Sequence, residues 1–367
     1  MPRIHEYFLI INHDSPLTTE IVNSILYFRL MKLLRVLLFP FSLLYGFITG
    51  LRNYFYNRGW FQSKRYDLPV ICVGNLSVGG TGKSPMIEFI IETLQEDYKV
   101  ATLSRGYKRK TRGYLEVNAL STAEEVGDEP LQFKQNYPEV TVAVCEDRQT
   151  GIEKLQPKSE VILLDDAFQH RKVRPSTNIL LTTYDNLFID DFMLPTGNLR
   201  EPRRGFARAD IIVVTKCPDH VPYASLQKVE FRIPIMDHQK LYFSKIRYDS
   251  QIHGVSESLP LTYLEDKSFT LVTGIANPKP LTDFLKINGF SFEHKRFGDH
   301  HHFSTSEIEK LKQREIILTT QKDFMRLQEP LGKFALYYVS IRTEILKAQE
   351  TFLRETIREK VKYQLRN

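Results

Sequence analysis

Cysteine is scarce in this chain of 367 residues: Cys72, Cys145 and Cys217 stand far apart, odd in number and without a Cys-x-x-Cys pair. That scarcity excludes a disulfide framework and a zinc ribbon, and it points to a reducing compartment. Long apolar runs are equally rare. A mean hydropathy of -0.29 excludes a polytopic membrane protein while leaving room for one apolar anchor. There are no internal repeats and no long low-complexity linker, which excludes solenoids and arrays. What is present is a globular composition, 42% apolar and 26% charged, on a chain long enough for about two domains. The formal net charge of +6 suits an anionic partner: a nucleotide, a nucleic acid or an acidic membrane surface.

Residues 1–30 show no clear period and no cleavable signal pattern, and are expected to be an extension of the reading frame ahead of Met31. Residues 31–60 differ in character. Positions 36–51 carry no formal charge and are flanked by Arg35 and Arg52. As a helix this run would span about 24 Å, short of a hydrocarbon core of roughly 30 Å. Pro40, Gly46 and Gly50 lower its helix propensity further. Cationic flanks and aromatics at Phe39, Phe41, Tyr45, Phe47 and Trp60 predict an interfacial or marginally spanning membrane segment, in preference to a core helix.

The chemistry begins at 68–74, an apolar β-branched run of the kind that forms a buried parallel strand. It leads into Ser77-Val78-Gly79-Gly80-Thr81-Gly82-Lys83-Ser84 and then a helical pattern over 85–94. Strand, glycine-rich loop and helix form the setting in which a P-loop binds phosphates. Backbone N–H groups curl around phosphate oxygens, Lys83 reaches the β- and γ-phosphates, and the Ser84 hydroxyl serves magnesium. Ser77 stands where the consensus has its first glycine. A second apolar run, 161–164, ends in Asp165-Asp166, the Walker B arrangement that holds magnesium. Further strand-like segments at 99–103, 140–144, 178–182 and 211–215 predict an α/β fold with a mostly parallel, P-loop NTPase-like sheet. Thr215-Lys216-Cys217-Pro218-Asp219 departs from the guanine-reading Asn-Lys-x-Asp, which makes ATP the expected nucleotide.

Around this core stand Ser104-Arg105-Gly106-Tyr107, Gly127-Asp128-Glu129-Pro130, Asp165-Asp166-Ala167-Phe168-Gln169-His170, Gly197-Asn198-Leu199-Arg200-Glu201-Pro202 and Asp299-His300-His301. In this order, from Met31 to the C-terminus, the motifs resemble those of the tetraacyldisaccharide 4'-kinases, the lipid A 4'-kinases. That family commonly lacks the first P-loop glycine. The resemblance implies ATP- and magnesium-dependent phosphorylation of the 4'-hydroxyl of a tetraacylated glucosamine disaccharide 1-phosphate, at the cytoplasmic face of the inner membrane. It implies Asp128 as catalytic base assisted by His300, with Lys83 and Asp166 at the transfer centre. It ties Glu129 and the Asp165-Asp166 pair to magnesium and the phosphate-transfer centre, so that Ser84, Glu129 and Asp165 are the expected metal ligands.

A P-loop kinase domain is expected over 61–227, a β-ribbon linker over 228–250 and a smaller C-terminal α/β lobe over 251–367. In that lobe 251–267 reads as loop, 269–273 and 315–320 as strands, 278–288 and 344–361 as helices, and Ser304-Thr305-Ser306-Glu307 as a capping box. Asp128 reads as part of a turn, and His300 would complete the site where two domains meet. The three histidines at 300–302 read as a loop, since neighbours cannot all face one metal ion. Lys322-Asp323 follows a strand end; it reads as a structural ion pair, with the cleft as the other option. Arg105 and Arg200 sit in basic clusters suited to phosphates. The expected partners are a glycolipid and the membrane, with no nucleic acid and a monomeric state. The competing reading is a membrane-associated P-loop switch or assembly ATPase, distinguished by turnover that needs no acceptor.

Overall fold

The structure, a computed structural model, describes residues 35–332 and 334–366; the expected extension at 1–30 lies outside them. The first lobe holds α1 (Phe39–Asn57), β1 (Val70–Asn75), α2 (Lys83–Leu94), β2 (Val100–Ser104), β3 (Leu115–Glu116), α3 (Ala123–Val126), α4 (Asp128–Asn136) and β4 (Thr141–Val144). It continues with α5 (Arg148–Leu155), β5 (Val161–Asp165), β6 (Thr177–Thr183), β7 (Ile211–Thr215) and α6 (Tyr223–Arg232). The long strand β8 (Lys240–His253) leads to β9 (Ser258–Pro260), β10 (Thr270–Thr273), α7 (Lys279–Ile287) and β11 (Glu293–Arg296). Then follow α8 (Thr305–Leu311), β12 (Ile317–Thr320), α9 (Gln321–Leu331), β13 (Leu336–Ile345) and α10 (Glu350–Arg366).

One sheet runs through both lobes in the order β11-β10-β12-β13-β8-β7-β6-β1-β5-β2-β4-β3. Its pairings are parallel except β3–β4, β8–β9 and β8–β13. Strands β1, β2, β5 and β7 are buried at every residue, which is why they read as continuous apolar runs. β8 joins the lobes by pairing twice. Its first residues run parallel to β7, and Ser244 to His253 run antiparallel to β13. The last helix returns to the first lobe, where Arg354 donates to Thr93 Oγ1 at 2.7 Å and Lys360 meets Asp210 at 2.8 Å.

Four local expectations change. Residues 228–232, expected as strand in the linker, lie in α6, because Leu226 and Val229 sit three apart and are buried as one helical stripe. The segment 251–267 holds the end of β8 and all of β9. Glu344 and Ile345 close β13; Lys347 and Ala348 then adopt positive φ, 58° and 53°, before α10 begins. Asp128 opens helix α4 behind Gly127.

Helix α1 is apolar and turned outward. Its buried residue is the polar Ser42, whereas Phe41, Leu44 and Phe47 are exposed. Its inner face is polar or small. Ser42 donates to Thr196 Oγ1 at 2.8 Å, Tyr45 to the Arg200 carbonyl at 2.9 Å, and Asn53 to Glu201 at 2.7 Å. Gly46 lies against Met193 and Gly50 against Pro202. Among the described residues no helix is long and apolar enough to cross a membrane.

Candidate active site

The carboxyl ends of β1, β5 and β7 converge, which is where doubly wound sheets bind ligands. Gly79 and Gly82 adopt φ of 107° and 86°, a region closed to most side chains, and Gly82 caps α2. Asn75 donates to Thr81 Oγ1 at 3.0 Å and Thr215 to the Thr81 carbonyl at 2.7 Å, so the loop is held from two strands. The missing first glycine has a physical account. Ser77 bridges to Leu199, Val78 N–H donates to Asn198 at 2.8 Å, and Arg200 N–H donates to Leu76 at 2.7 Å. The bend is therefore made by pairing with the 197–202 loop and needs no positive φ at Ser77.

Lys83 and Ser84 open α2, whose N-terminus adds the positive end of its dipole. Lys83 Nζ lies 3.6 Å from Asp166 Oδ1. Asp166 sits at φ 48° and accepts from Arg200 at 2.9 and 3.0 Å. Lys216, at φ 56°, leans over Gly80 from the end of β7. Burial, together with the nearby Lys322 and Lys83 charges, pushes its ammonium pKa down.

The two lobes meet at the first turn of α4. His300 Nδ1 and Asp128 Oδ2 are 2.9 Å apart. His300 is held at φ 52° by its N–H donating to the Gly274 carbonyl at 2.9 Å, and its ring edge meets Tyr107. Arg326 Nε lies 3.3 Å from the same Asp128 oxygen, and the guanidinium also donates to Asp323 and to the His301 carbonyl. Next door, Glu129 Oε1 accepts from Ser84 and from Lys322, each at 2.5 Å. Burial pushes the Asp165 carboxyl up, and the Glu129 charge pushes it further. Burial acts on Glu129 in the same sense, but Lys322 and the Ser84 hydroxyl outweigh it and hold that carboxyl well below the usual range.

The donor set fits magnesium. Asp165 is almost wholly buried, and its Oδ1 has no hydrogen-bond partner. A hydroxyl, two carboxylates and a phosphate-binding loop are the oxygens that magnesium shares with a polyphosphate. No cluster of three His, Cys, Asp or Glu that could hold a metal ion occurs among the described residues.

The expected residues Lys83, Ser84, Asp128, Glu129, Asp165, Asp166 and His300 are therefore brought together between the P-loop and the first turn of α4, whereas Arg105 is exposed and makes none of these contacts. Sequence reasoning missed the pairing of Arg200 with Asp166 and the entry of Arg326, and it ranked the entry of Lys322 below a structural ion pair. Asp323 is the structural half of its pair: it accepts from Gly274 N–H at 2.9 Å, while Lys322 reaches the cleft. The signal available was the position of Lys322 just beyond a strand end.

A family model described as Tetraacyldisaccharide-1-P 4'-kinase matches residues 34–362. This chain belongs to the tetraacyldisaccharide 4'-kinase family. A tetraacyldisaccharide 4'-kinase of Flavobacterium johnsoniae is 46% identical over 328 residues, covering 88% of this chain and 96% of that one. That of Bacteroides thetaiotaomicron is 43% identical over 341 residues, covering 85% and 90%. The crystal structure of LpxK from Aquifex aeolicus in complex with ATP superposes with a TM-score of 0.73 at 33% identity, covering 89% of this chain and 99% of that one. The kinase is an ATP-dependent enzyme of lipid A biosynthesis, which decides against the switch ATPase.

Proposed function

We propose that the kinase transfers the γ-phosphoryl group of ATP to the 4'-hydroxyl of a tetraacylated disaccharide 1-phosphate, with Asp128 as base. The hydroxyl oxygen forms a bond to the γ-phosphorus as the bond to the ADP oxygen breaks, and the hydroxyl proton passes to Asp128. Such transfers depend on alignment and charge neutralisation, with a positioned base for the incoming hydroxyl. The observation that carries this reading is the 2.9 Å contact of His300 Nδ1 with Asp128 Oδ2, in reach of the P-loop through the adjoining Glu129–Ser84 hydrogen bond. His300 orients the carboxylate and shares its proton. Lys83 and the loop N–H groups take the phosphates, and Asp166 positions Lys83 and Arg200. Ser84, Glu129 and Asp165 would hold magnesium, which would supply positive charge against the polyphosphate.

We infer that α1 lies in the interface of the inner membrane at its cytoplasmic face. Its outward residues are apolar, and its inward ones are polar or small, the reverse of a helix covering a core. The helix sits on the loop that carries Arg200, so the glycolipid acceptor is presented beside the cleft. Incubation with labelled ATP and the disaccharide lipid tests the whole reading. A phosphorylated lipid whose formation stops in Asp128→Asn supports it; acceptor-independent release of free phosphate refutes it.

A further inference from the structure

Helix α9 enters the cleft from the second lobe with Lys322 and Arg326 one turn apart, hence on one face. Opposite them, α4 opens with the adjacent acids Asp128 and Glu129. Arg326 lies against the first acid and Lys322 against the second. The Glu129 oxygen that Lys322 meets at 2.5 Å also accepts the Ser84 hydroxyl. An ammonium from the far lobe therefore stands at the junction of two oxygens assigned above to magnesium. Ammonium and divalent ion compete for the same lone pairs, so both cannot be served at full strength. Lysine suits such an exchange because it is a compact point charge on a flexible stem. With about a third of its side chain exposed, Lys322 has room to swing. Lys83 and Lys216 already flank the loop, so a displaced Lys322 ammonium would find its new partner in the phosphate chain.

We propose that Lys322 is the placeholder cation of the metal site: it neutralises Glu129 in the metal-free chain, yields to the metal on nucleotide loading, and then donates to the phosphates, so that the second lobe registers an occupied first lobe. The inference rests on the reading of Ser84 and Glu129 as metal ligands. Lys322 is in this account a positioning residue, distinct from the base.

The test uses the full chain, a non-hydrolysable ATP analogue and Mn2+, with affinities as the readout. In Lys322→Met the analogue should bind roughly ten-fold more weakly in chelator, because the Glu129 charge then stands unneutralised beside the phosphates. The Mn2+ midpoint at saturating analogue should fall by about the same factor, because a competitor is gone. Lys322→Arg should keep binding in chelator, and Lys322→Gln, which retains length and polarity, should follow Lys322→Met if the latter folds poorly. Adding Lys322→Met to Glu129→Gln should shift the Mn2+ midpoint no further. An unchanged or raised Mn2+ midpoint in a cooperatively folding Lys322→Met or Lys322→Gln overturns the placeholder role. A wild-type chain whose analogue binding ignores Mn2+ overturns instead the metal-site reading on which the inference rests.

Discussion

The two ends of the cleft are built differently. At the phosphate end Gly79, Gly82, Lys83 and Ser84 lie within a short stretch between one strand and one helix, fixed by backbone conformation and by Thr215. At the acceptor end Asp128 comes from the first lobe, while His300 and Arg326 come from the second. The contrast teaches that the frame gripping the nucleotide is built within one lobe, to which the second adds Lys322, whereas deprotonating an acceptor cannot begin without both. A lobe separation too small to disturb the loop would dismantle the Asp128–His300 contact.

The strongest way to break that contrast is at the base. Asp128→Asn should lower kcat by about 10²–10⁴-fold, the range of a lost general base, and leave ATP affinity within a few-fold. Measured by lipid-dependent ADP release, a loss of ATP binding of similar size would merge the two ends into one. Lys83→Ala comes next. It should cost about 10²–10³-fold, as for a lost electrostatic donor, and raise the ATP Kd as well, checked by titrating a fluorescent nucleotide. His300→Ala should cost less than Asp128→Asn, on the order of 10–100-fold in kcat. Combined with Asp128→Asn it should add little further, since the two act as a unit; full additivity in the kinetics would show independent roles.

Two smaller effects sharpen the contrast at its borders. Between the ends runs a buried seam, where Glu88 of α2 accepts from Gln132 and Asn136 of α4, and Gln321 of α9 bonds Asn136. Burial pushes the Glu88 carboxyl up to about 7 from 4.5. Folding thus favours its protonated form, and that stabilisation is full below about 4.5 and lost as pH rises through about 7. Glu88→Gln should raise the thermal midpoint at pH 8, by an amount worth about 1–3 kcal/mol, and not at pH 4.5. An equal gain at both values would assign the effect to packing. Outermost, Phe47→Asp should change folding stability by no more than ~0.5 kcal/mol, as at other exposed positions, yet lower recovery of the chain on anionic vesicles. Unaltered vesicle recovery would remove α1 from the membrane.

Legibility followed the same divide. The loop and the paired acids 165–166 were readable because their chemistry is local: glycines, a lysine and a hydroxyl within one turn, then carboxylates at a strand end. Strands β1, β5 and β7 were readable because both their faces are buried. The short helix α6 was misread because Val229, Phe231 and Ile233 alternate like a strand, while Leu226 and Val229 make the helical stripe that is buried. Asp128 and His300 were legible only through the family's motifs, since their contact spans 172 positions of chain. Arg326 stayed hidden because nothing near it in the chain announces the acid it meets, and Lys322 was legible only by its place beyond a strand end, which does not name its partner.

The strand that serves both halves carries a hazard during synthesis. Ser244 to His253 find their ladder mainly on β13, far downstream, so the emerging polypeptide holds an open row of amides and carbonyls until Ile345 has left the ribosome. Truncated or stalled products ending before Leu336 keep that raw margin, the template on which neighbouring copies stack into aggregates.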